Sequence, residues 1–370
     1  INGGNISGLN LRLLPRFHTA DNVLSLEGVY EASEQRASRI ERVFFPVHAG
    51  LGNYRYLGDL NGNNKQDPEE FALAGYSDQG EYILLTLPTE SLFPVTDLRT
   101  SLRIRLTPFP FFGLETALRL EEKSSTGNPA DIYLLRLSHF LGDSSTIRGF
   151  QEIQQDVNLL ENNTDHSYRL RFLERKNSTQ YNTGLEEVYY REVSLRGRFH
   201  PSFEFSNESN LSYITDNARA EAHSTTQPHS VKRLEIRTEW TYDPFASLFG
   251  FGLKGQFSRG SDNSYSPATT LAQNSITLET RYRIGSSARI RAEIGRDELI
   301  LRNTSNQLAV PYALTFGKSP GATWLWKLSA DLQFASGIIL TAVYDGRSEL
   351  TNSIDRSIIH NMRAEIRASF

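Results

Sequence analysis

Residues 357–370 read Ser-Ile-Ile-His-Asn-Met-Arg-Ala-Glu-Ile-Arg-Ala-Ser-Phe, and this stretch decides the fold. Its alternate positions separate an apolar set from a polar set. A two-residue period of this kind is typical of a β-strand with one apolar and one polar face. The apolar set is Met362, Ala364, Ile366, Ala368 and Phe370, and the polar set is Asn361, Arg363, Glu365 and Arg367. The sequence therefore predicts that the chain ends in a two-faced strand.

The same alternation recurs from residue 97 to the end of the chain. Many of these runs last about 10 residues, near the length that crosses a bilayer at a tilt. Strands of soluble sandwiches are shorter, about 5 or 6 residues. The runs therefore favour membrane-spanning strands, and an extended soluble β protein stays the alternative. One example sets Leu234, Ile236, Thr238, Trp240 and Tyr242 against Arg233, Glu235, Arg237 and Glu239.

Composition excludes several other classes. The chain has 370 residues and no apolar run near the 18 or so that a membrane helix needs, so a helical membrane protein is excluded. It contains no Cys, which rules out disulfides and Cys-ligated metals. The net charge of −4 gives no reason to expect a nucleic-acid partner.

A final strand that stops on an aromatic residue resembles the last strand of outer-membrane β-barrels. The resemblance implies an all-β, antiparallel transmembrane β-barrel. The alternating runs predict about 12–16 strands, and the break in their pattern predicts a small inserted α+β domain. It also implies a place in the bacterial outer membrane, with lipid and the proteins of a larger assembly as partners. Short turns alternate with long polar loops, so we expect the long loops to be extracellular and Phe370 to lie on the periplasmic side.

The pattern divides the chain into three parts. Residues 1–31 are predicted to form N-terminal strands of the barrel or a separate hairpin, residues 32–96 the inserted domain, and residues 97–370 the barrel. If Asp131 to Phe140 is a strand, the count is about 15 and the insert is extracellular. Otherwise the count is about 12 and the insert is periplasmic or separate. We favour the first. Barrels usually have an even number of strands, so we also expect a strand upstream of Ile1. An outer-membrane protein needs an export signal, and we expect that signal upstream of Ile1 as well.

The polar faces of the strands are predicted to line the barrel lumen, because the apolar faces must meet lipid. Arg and Glu alternate on them, which suits either a solute path or a salt-bridge network, and a barrel of this size leaves a channel unless it is plugged. The predicted lumen-facing residues are Arg103, Arg105, Arg119, Glu235, Arg237, Glu239, Arg281, Arg283, Arg291, Glu293, Arg363, Glu365 and Arg367.

A twelve-residue loop inside the predicted insert has the spacing of a calcium loop. Oxygen-bearing side chains stand at positions 1, 3, 5, 9 and 12, and position 7 offers a carbonyl. Asn64 and Gln66 depart from the EF-hand pattern, and a polar turn held by Asx hydrogen bonds is the alternative. The predicted ligands of a structural Ca²⁺ are Asp59, Asn61, Asn63, Lys65, Asp67 and Glu70.

Residues 50–88 carry a second resemblance. Gly50-Leu51-Gly52-Asn53-Tyr54, the Asp59–Asn63 run and Asp78–Ile83 resemble a block in large surface proteins of Bacteroidota and related bacteria. The later Asp143–Gly149 run fits the same block. The resemblance implies an outer-membrane origin and transfers no activity.

Three functions remain open at this point. The first is a barrel for transport, secretion or surface assembly, and the second is a barrel that only anchors an adhesive surface module. The third is a membrane-embedded hydrolase, although Ser138-His139, His166, His200, His223 and His229 form no catalytic motif, so we expect no enzyme. Apolar residues at helical spacing across 145–160 predict a helix that packs on the rim or acts as a plug.

Overall fold

The computed structural model describes most of the chain. The described ranges are 10–125, 129–135, 141, 145–181, 184–220, 228–244, 248–285, 287–304, 310–335, 338–350 and 356–368. Phe370, on which the terminal-strand resemblance depended, lies outside the described residues. None of the helices in the described ranges is long and apolar enough to span a membrane.

Strands account for most of the described chain. They are β1 (Asn10–Leu13), β2 (Arg16–His18), β3 (Leu24–Pro46), β4 (Tyr54–Tyr56), β5 (Phe71–Leu73), β6 (Tyr82–Phe109), β7 (Phe112–Ser124), β8 (Thr146–Leu159), β9 (His166–Tyr181), β10 (Gly184–Ser202), β11 (Phe205–Ala220), β12 (His229–Tyr242), β13 (Phe249–Asp262), β14 (Thr269–Ile284), β15 (Ala288–Arg302), β16 (Gly321–Ala335), β17 (Ile338–Leu350) and β18 (Arg356–Ala368). Two short α-helices, α1 (Pro129–Tyr133) and α2 (Tyr312–Thr315), lie in connections between strands.

The strands form one antiparallel meander. Both β1 and β2 pair with β3, so together they make one wall strand that is interrupted at Leu14 and Pro15. β3 then pairs with β6, and from β6 to β18 every strand pairs with the next. With β4 and β5 set aside as parts of the insert, the described chain contributes 15 wall strands. Consecutive antiparallel pairing gives the wall of a β-barrel.

Burial along the wall is the reverse of that in a soluble protein. On β12 the side chains of Arg233 and Glu235 are 6% and 2% exposed, whereas those of Leu234 and Ile236 between them are 47% and 44% exposed. Adjacent residues of a strand point to opposite faces, so in this part of β12 the polar face is covered by protein and the apolar face is open. A sheet that turns apolar side chains outward suits lipid as its surroundings, because lipid hides apolar surface from water.

The outward apolar surface forms a belt beside the short turns. On β12 it runs over nine residues from Leu234 to Tyr242, close to the roughly 9–11 residues that a tilted strand needs to cross the hydrocarbon core. On the long-loop side of the belt the outer face becomes polar, as at Lys232, Arg259 and Arg296. The wall strands therefore extend beyond the belt at the long-loop rim.

These extensions explain why several predicted loops are strands. The sequence predicted loops at 215–229, 259–273, 299–321 and 347–356, but β11, β13, β15 and β17 extend into them as far as Ala220, Asp262, Arg302 and Leu350. Outside the belt both faces of a strand are polar, so the alternation that revealed the strand is lost there.

Two element predictions in the middle of the chain were wrong. Asp131 to Phe140 was expected to be a strand, but its first residues belong to α1, and residues 136–140 lie outside the described ranges. Residues 145–160 were expected to be helical, but they form β8, which pairs along its length with β7 and β9. Even numbers of positions separate Ile147, Ile153 and Val157. This spacing fits one face of a strand as well as it fits one face of a helix.

The predicted insert of residues 32–96 contains a long strand pair. β3 and β6 stay paired as far as Pro46 and Tyr82, but in the described chain β1 pairs with β3 only up to Ser33 and β7 pairs with β6 only from Thr96. Residues 34–46 and 82–95 therefore form a two-stranded ribbon beyond the wall, and Ile40 on this ribbon pairs with Tyr181 of β9. The residues left between these strands are 47–81, which we call the insert. Within the insert, a 3₁₀ turn over Pro68–Glu70 leads directly into β5.

The outward face gives a direct test of the membrane belt. Replacing Ile236 with Lys places a charge in the middle of the belt and should lower the free energy of unfolding by roughly 2–4 kcal/mol. Urea unfolding of the protein in phospholipid bilayers measures this change. Asn274→Lys is the matched control, because Asn274 lies opposite Glu298, outside the belt on the same face, and should cost less than about 0.5 kcal/mol. Equal costs at the two positions would show that no such belt exists.

Candidate functional site

The insert shares an aromatic core with the adjoining ends of β3 and β6. Phe71 is buried, and its ring stacks on that of Phe44 with centroids 3.9 Å apart. Tyr82 and Tyr56 pack against the same ring at 5.0 and 5.2 Å. Backbone hydrogen bonds hold the chain around this core, including Leu57 N–H to the Glu70 carbonyl and Ala74 N–H to the Asn53 carbonyl. The insert is thus a small packed unit joined to the wall by β3 and β6.

The insert and the adjoining end of β3 contact the wall at widely separated strands. Arg42 donates to Glu186 on β10 at 2.5 Å, and its guanidinium lies 3.8 Å from the ring centroid of Tyr181 on β9. Asp78 accepts a hydrogen bond from Arg347 on β17. These wall residues all belong to the polar face of the sheet. One compact segment can reach β9, β10 and β17 on the same face only from inside a curved sheet, so the insert lies in the lumen.

A second segment enters the lumen from the connection between β15 and β16. We call residues 310–318, which contain α2, the inner segment. Arg233 donates to the Ala313 carbonyl at 2.9 Å, and its guanidinium lies 4.2 Å from the ring centroid of Phe316. Lys318 forms an ion pair with Asp297 on β15. Leu314 is buried in a cluster with Val231, Leu271 and Leu299 of the wall.

The insert and the inner segment touch each other through two glycines. A Cβ atom at Gly75 would overlap the Gly317 carbonyl, so only Gly at position 75 lets the two backbones come this close. Gly317 has a φ of +73°, a conformation that favours Gly. The two segments together form what we call the plug, which occupies the lumen near the long-loop rim.

The predicted lumen-facing residues lie on the polar face of the wall, the face that carries the plug. Most are paired across or along strands. The ion pairs are Arg103–Glu115 (3.0 Å), Arg105–Glu161 (3.1 Å), Arg119–Glu121, Arg237–Glu235, Lys254–Glu239 (3.8 Å), Arg281–Asp243 (3.3 Å), Arg291–Glu279 (2.9 Å), Arg291–Glu293 (2.8 Å) and Arg367–Glu365 (2.6 Å). Arg363 lines a cavity beside Arg347, and Arg283 is exposed beside the turn at Gly285. The wall is therefore a dense network of Arg and carboxylate groups.

Sequence reasoning missed the residues that hold the plug. Asp78 and Arg347 are 269 positions apart, and nothing in either local pattern links them. Arg233 and Asp297 stand at polar positions of alternating strands, which was the one available signal for a lumen residue. Their partners in the inner segment could not be predicted, because that segment shows no period that would place it inside the barrel.

Two cavities lie beside the plug. One, of about 550 Å³, separates the plug from β10–β12 and is lined by aromatic and charged side chains, among them Tyr54, Tyr190 and His229. The other, of about 740 Å³, is lined by β9–β14 in the part of the lumen nearer the short turns. The second cavity is polar, and its lining includes Arg169, Arg196 and Lys254.

The predicted calcium loop is a compact turn of Asx hydrogen bonds. Asp59 accepts from the backbone N–H groups of Gly62 and Asn64 at 2.7 and 2.8 Å. The Asn64 N–H contributes most to holding the pKa of Asp59 below its usual range, so this carboxylate is charged at neutral pH. The amides of Asn61 and Asn63 both donate to Asp67 Oδ2.

The remaining predicted ligands also have protein partners. Glu70 is fully buried and accepts from Leu60 N–H and the Tyr56 hydroxyl. Lys65 N–H donates to Asn63 Oδ1 at 2.7 Å. Among the described residues no group of three or more His, Asp and Glu side chains is close enough to hold a metal ion. Calcium binding by this loop stays a prediction.

The histidines considered for catalysis are dispersed. His229 Nε2 lies 3.2 Å from Asp216 Oδ1 in the cavity beside the plug. His166 and His200 lie at the short-turn ends of β9 and β10. Ser138, His139 and His223 lie outside the described residues. The expectation that the protein is not an enzyme stays a prediction.

Comparisons with known proteins add little beyond the fold. No protein-family model matches the sequence, and no curated protein matches it either. Among solved structures, an anion-selective porin from Comamonas acidovorans is 10% identical with a TM-score of 0.35, over 92% of this chain and all of that one. The outer-membrane expressed OmpT of Vibrio cholerae is 8% identical with a TM-score of 0.33, over 96% of this chain and 99% of that one.

A larger structure is similar in part. The ferric enterobactin receptor (PfeA) mutant from Pseudomonas aeruginosa is 10% identical with a TM-score of 0.41, over 92% of this chain and 53% of that one. At these identities and TM-scores the assignment rests on this chain's own strand register, reversed burial and apolar belt. Those features define an outer-membrane β-barrel protein.

Calcium binding can be tested on the whole protein in detergent. If Asp59 and Glu70 act as ligands, isothermal titration calorimetry should give heat at millimolar Ca²⁺ or below, because EF-hand-like surface modules bind in the range of about 10⁻⁴–10⁻³ M. Asp59→Asn should abolish the heat, and Asp21→Asn, a carboxylate on the turn between β2 and β3, should leave it unchanged. No heat from the wild-type protein at 10 mM (roughly ten times the weaker limit) would end the prediction.

Proposed function

We propose that this protein is an outer-membrane transport barrel that is closed at rest by its own plug. The insert and the inner segment occupy the lumen at the long-loop rim, and passage of a solute requires one or both to move. The long loops of such barrels are extracellular, so a plug at the long-loop rim lies at the extracellular mouth. The observation that carries the proposal is the contact of the insert and the adjoining end of β3 with β9, β10 and β17 on the polar face of the wall.

The chemistry of these contacts favours a plug that can be released. The insert and the adjoining end of β3 are held by ion pairs such as Asp78–Arg347 and Arg42–Glu186. At Gly75 and Gly317 the insert contacts the inner segment through the backbone. Phe71 packs on Phe44 of β3 and Tyr82 of β6, so the insert and these two strand ends would leave the wall together, with their aromatic core intact. Polar contacts can be exchanged for water at small net cost, whereas a shared hydrophobic core cannot.

The second candidate is an anchor for a structural or adhesive surface module. The plug would then be permanent and would simply fill the lumen, and the paired Arg and carboxylate groups of the wall would serve stability. The resemblance of residues 50–88 to surface proteins of Bacteroidota supports this alternative as much as the first, and it stays a prediction.

Conductance of single molecules in planar bilayers separates the two functions. Pro46 and Tyr82 are paired in register, so residues 47–81 can be replaced by Asn-Gly, the preferred two-residue hairpin turn. The wild-type protein should be closed for most of the recording, because the plug fills the mouth. The deletion variant should show frequent, stable conductance steps, since the main obstruction has been removed.

A matched control removes a structure of the same rim that lies outside the lumen. α1 packs through Ile132 on Leu98 and Leu120, which belong to the apolar, outward face. Replacing residues 129–135 with a Gly-Ser linker of the same length should leave the barrel closed. If the deletion variant inserts and resists unfolding like the wild type yet stays closed, the transport proposal is wrong and the anchor is favoured.

A further inference from the structure

We propose that the polar cavity below the plug is a binding site for an oxyanion, a phosphate or carboxylate group carried by a small solute. We call this cavity, lined by Arg169, Arg171, Arg196, Glu208, Arg237 and Lys254, the arginine chamber. Its volume of about 740 Å³ is that of a small-molecule pocket. Among the described residues that line it are five cationic and three acidic side chains.

The central observation is a pair of arginines placed directly opposite each other. In the register of β9 with β10, Arg169 faces Arg196, and Arg171 faces Ser194. Residues directly opposite in an antiparallel pair have Cβ atoms about 4.5–5.5 Å apart, and like charges at such positions are destabilising. Three guanidinium groups therefore share one small region of the polar wall, where their repulsion needs a counter-charge.

Two of the three arginines already have a counter-charge from the protein. Arg171 binds Asp156 with two hydrogen bonds, of 2.8 and 2.7 Å. Arg196 donates to Glu208 at 2.6 Å. Both side chains are thereby held in place, and each keeps further N–H groups for another acceptor, since a guanidinium has five. The protein supplies two fixed donors at the edges of the site.

Arg169 lacks such a partner. The structure gives it no hydrogen bond and no ion pair with any residue in the described part of the chain. Its side chain is half-buried and lines the chamber. A guanidinium between two other guanidiniums, without a carboxylate of its own, is the arrangement that an oxyanion would complete, because Arg recognises carboxylate and phosphate through paired N–H donors.

The surroundings of the chamber fit this assignment. On the far side, Arg237 faces Gln256 across β12 and β13, and Lys254 faces Glu239. Lys254 is bound by Glu279 at 2.7 Å, so it contributes little free charge. Of the five cations that line the chamber, Arg169 is the one without a hydrogen bond or ion pair in the described part of the chain. The carboxylates nearest to it, Asp156 and Glu208, are those that bind Arg171 and Arg196. The chamber lies on the lumen side of the plug, where a solute that passes through the barrel would meet it.

Anion binding to the purified, plugged protein tests the proposal independently of conductance. Isothermal titration calorimetry with inorganic phosphate in one series and citrate in another should show binding to the wild type. Arg169→Gln should weaken binding of the preferred anion by about tenfold or more, the effect of losing a charge-assisted hydrogen bond. Tighter phosphate binding would assign phosphate groups as the ligand class, and tighter citrate binding would assign carboxylates.

Two further measurements make the result specific. Arg103→Gln removes the same charge from another part of the polar wall, where Arg103 is paired with Glu115, and should leave anion affinity unchanged. Without anion, Arg169→Gln should unfold at the same temperature as the wild type or higher, because it relieves the repulsion from Arg196. The anion should then raise the melting temperature of the wild type and of Arg103→Gln, and should raise that of Arg169→Gln much less.

Two results would overturn the proposal. Wild-type protein that binds neither phosphate nor citrate has no oxyanion site. Equal losses in Arg169→Gln and Arg103→Gln would mean that the lumen attracts anions only through its diffuse charge. Either result leaves the proposal of a movable plug untouched, because the anion measurements do not depend on whether the plug opens.

Discussion

The rest of the structure depends on the hydrogen bonding of the backbone in lipid. No water in the hydrocarbon core can satisfy an unpaired N–H or C=O group, so each strand must pair with neighbours on both sides along the belt. The long antiparallel registers, such as the 15 residue pairs between β14 and β15, meet this requirement. Because the backbone hydrogen bonds are made between strands, the side chains on the two faces of a strand can differ completely in polarity. One set meets lipid and the other meets the lumen.

This separation of the two faces makes the plug possible. The lumen face carries Arg, Glu and Asp at many positions, and these groups need partners when they are covered. The plug brings such partners: Asp78 for Arg347 and Lys318 for Asp297. The inner segment also adds a small apolar contact around Leu314. The plug is therefore held chiefly by polar contacts, and this sets it apart from the hydrophobic core of an ordinary domain.

The strand architecture could be predicted because its signal is local. The alternation of Leu234 and Ile236 with Arg233 and Glu235 identifies the strand and both of its faces. The preferred count of about 15 strands agrees with the wall of the described chain, although β8 takes the place of the strand expected at Asp131 to Phe140. The strand ends could not be predicted, because both faces become polar beyond the belt.

The candidate site was much less accessible to sequence reasoning. The Arg and Glu positions of the lumen face follow from the period of the strands, but which of them lacks a partner depends on register. The meeting of Arg169 with Arg196 is fixed by the length of the turn between β9 and β10. The contacts of the plug join residues up to 269 positions apart, and no local pattern encodes them.

The central claim, that the insert lies inside the lumen against β17, has one most direct test. The chain has no Cys, so a double variant with Asp78→Cys and Arg347→Cys carries the only two thiols. An ion pair of Asp with Arg leaves the two Cα atoms too far apart for a disulfide, so a bis-maleimide with a short flexible spacer is the suitable reagent. On intact outer membranes it should form an intramolecular cross-link, seen as a band of altered migration on a denaturing gel. Asp78→Cys with Arg367→Cys, a lumen position at the short-turn end of β18, should cross-link far less. Absence of the cross-link in the folded 78–347 variant would contradict the account.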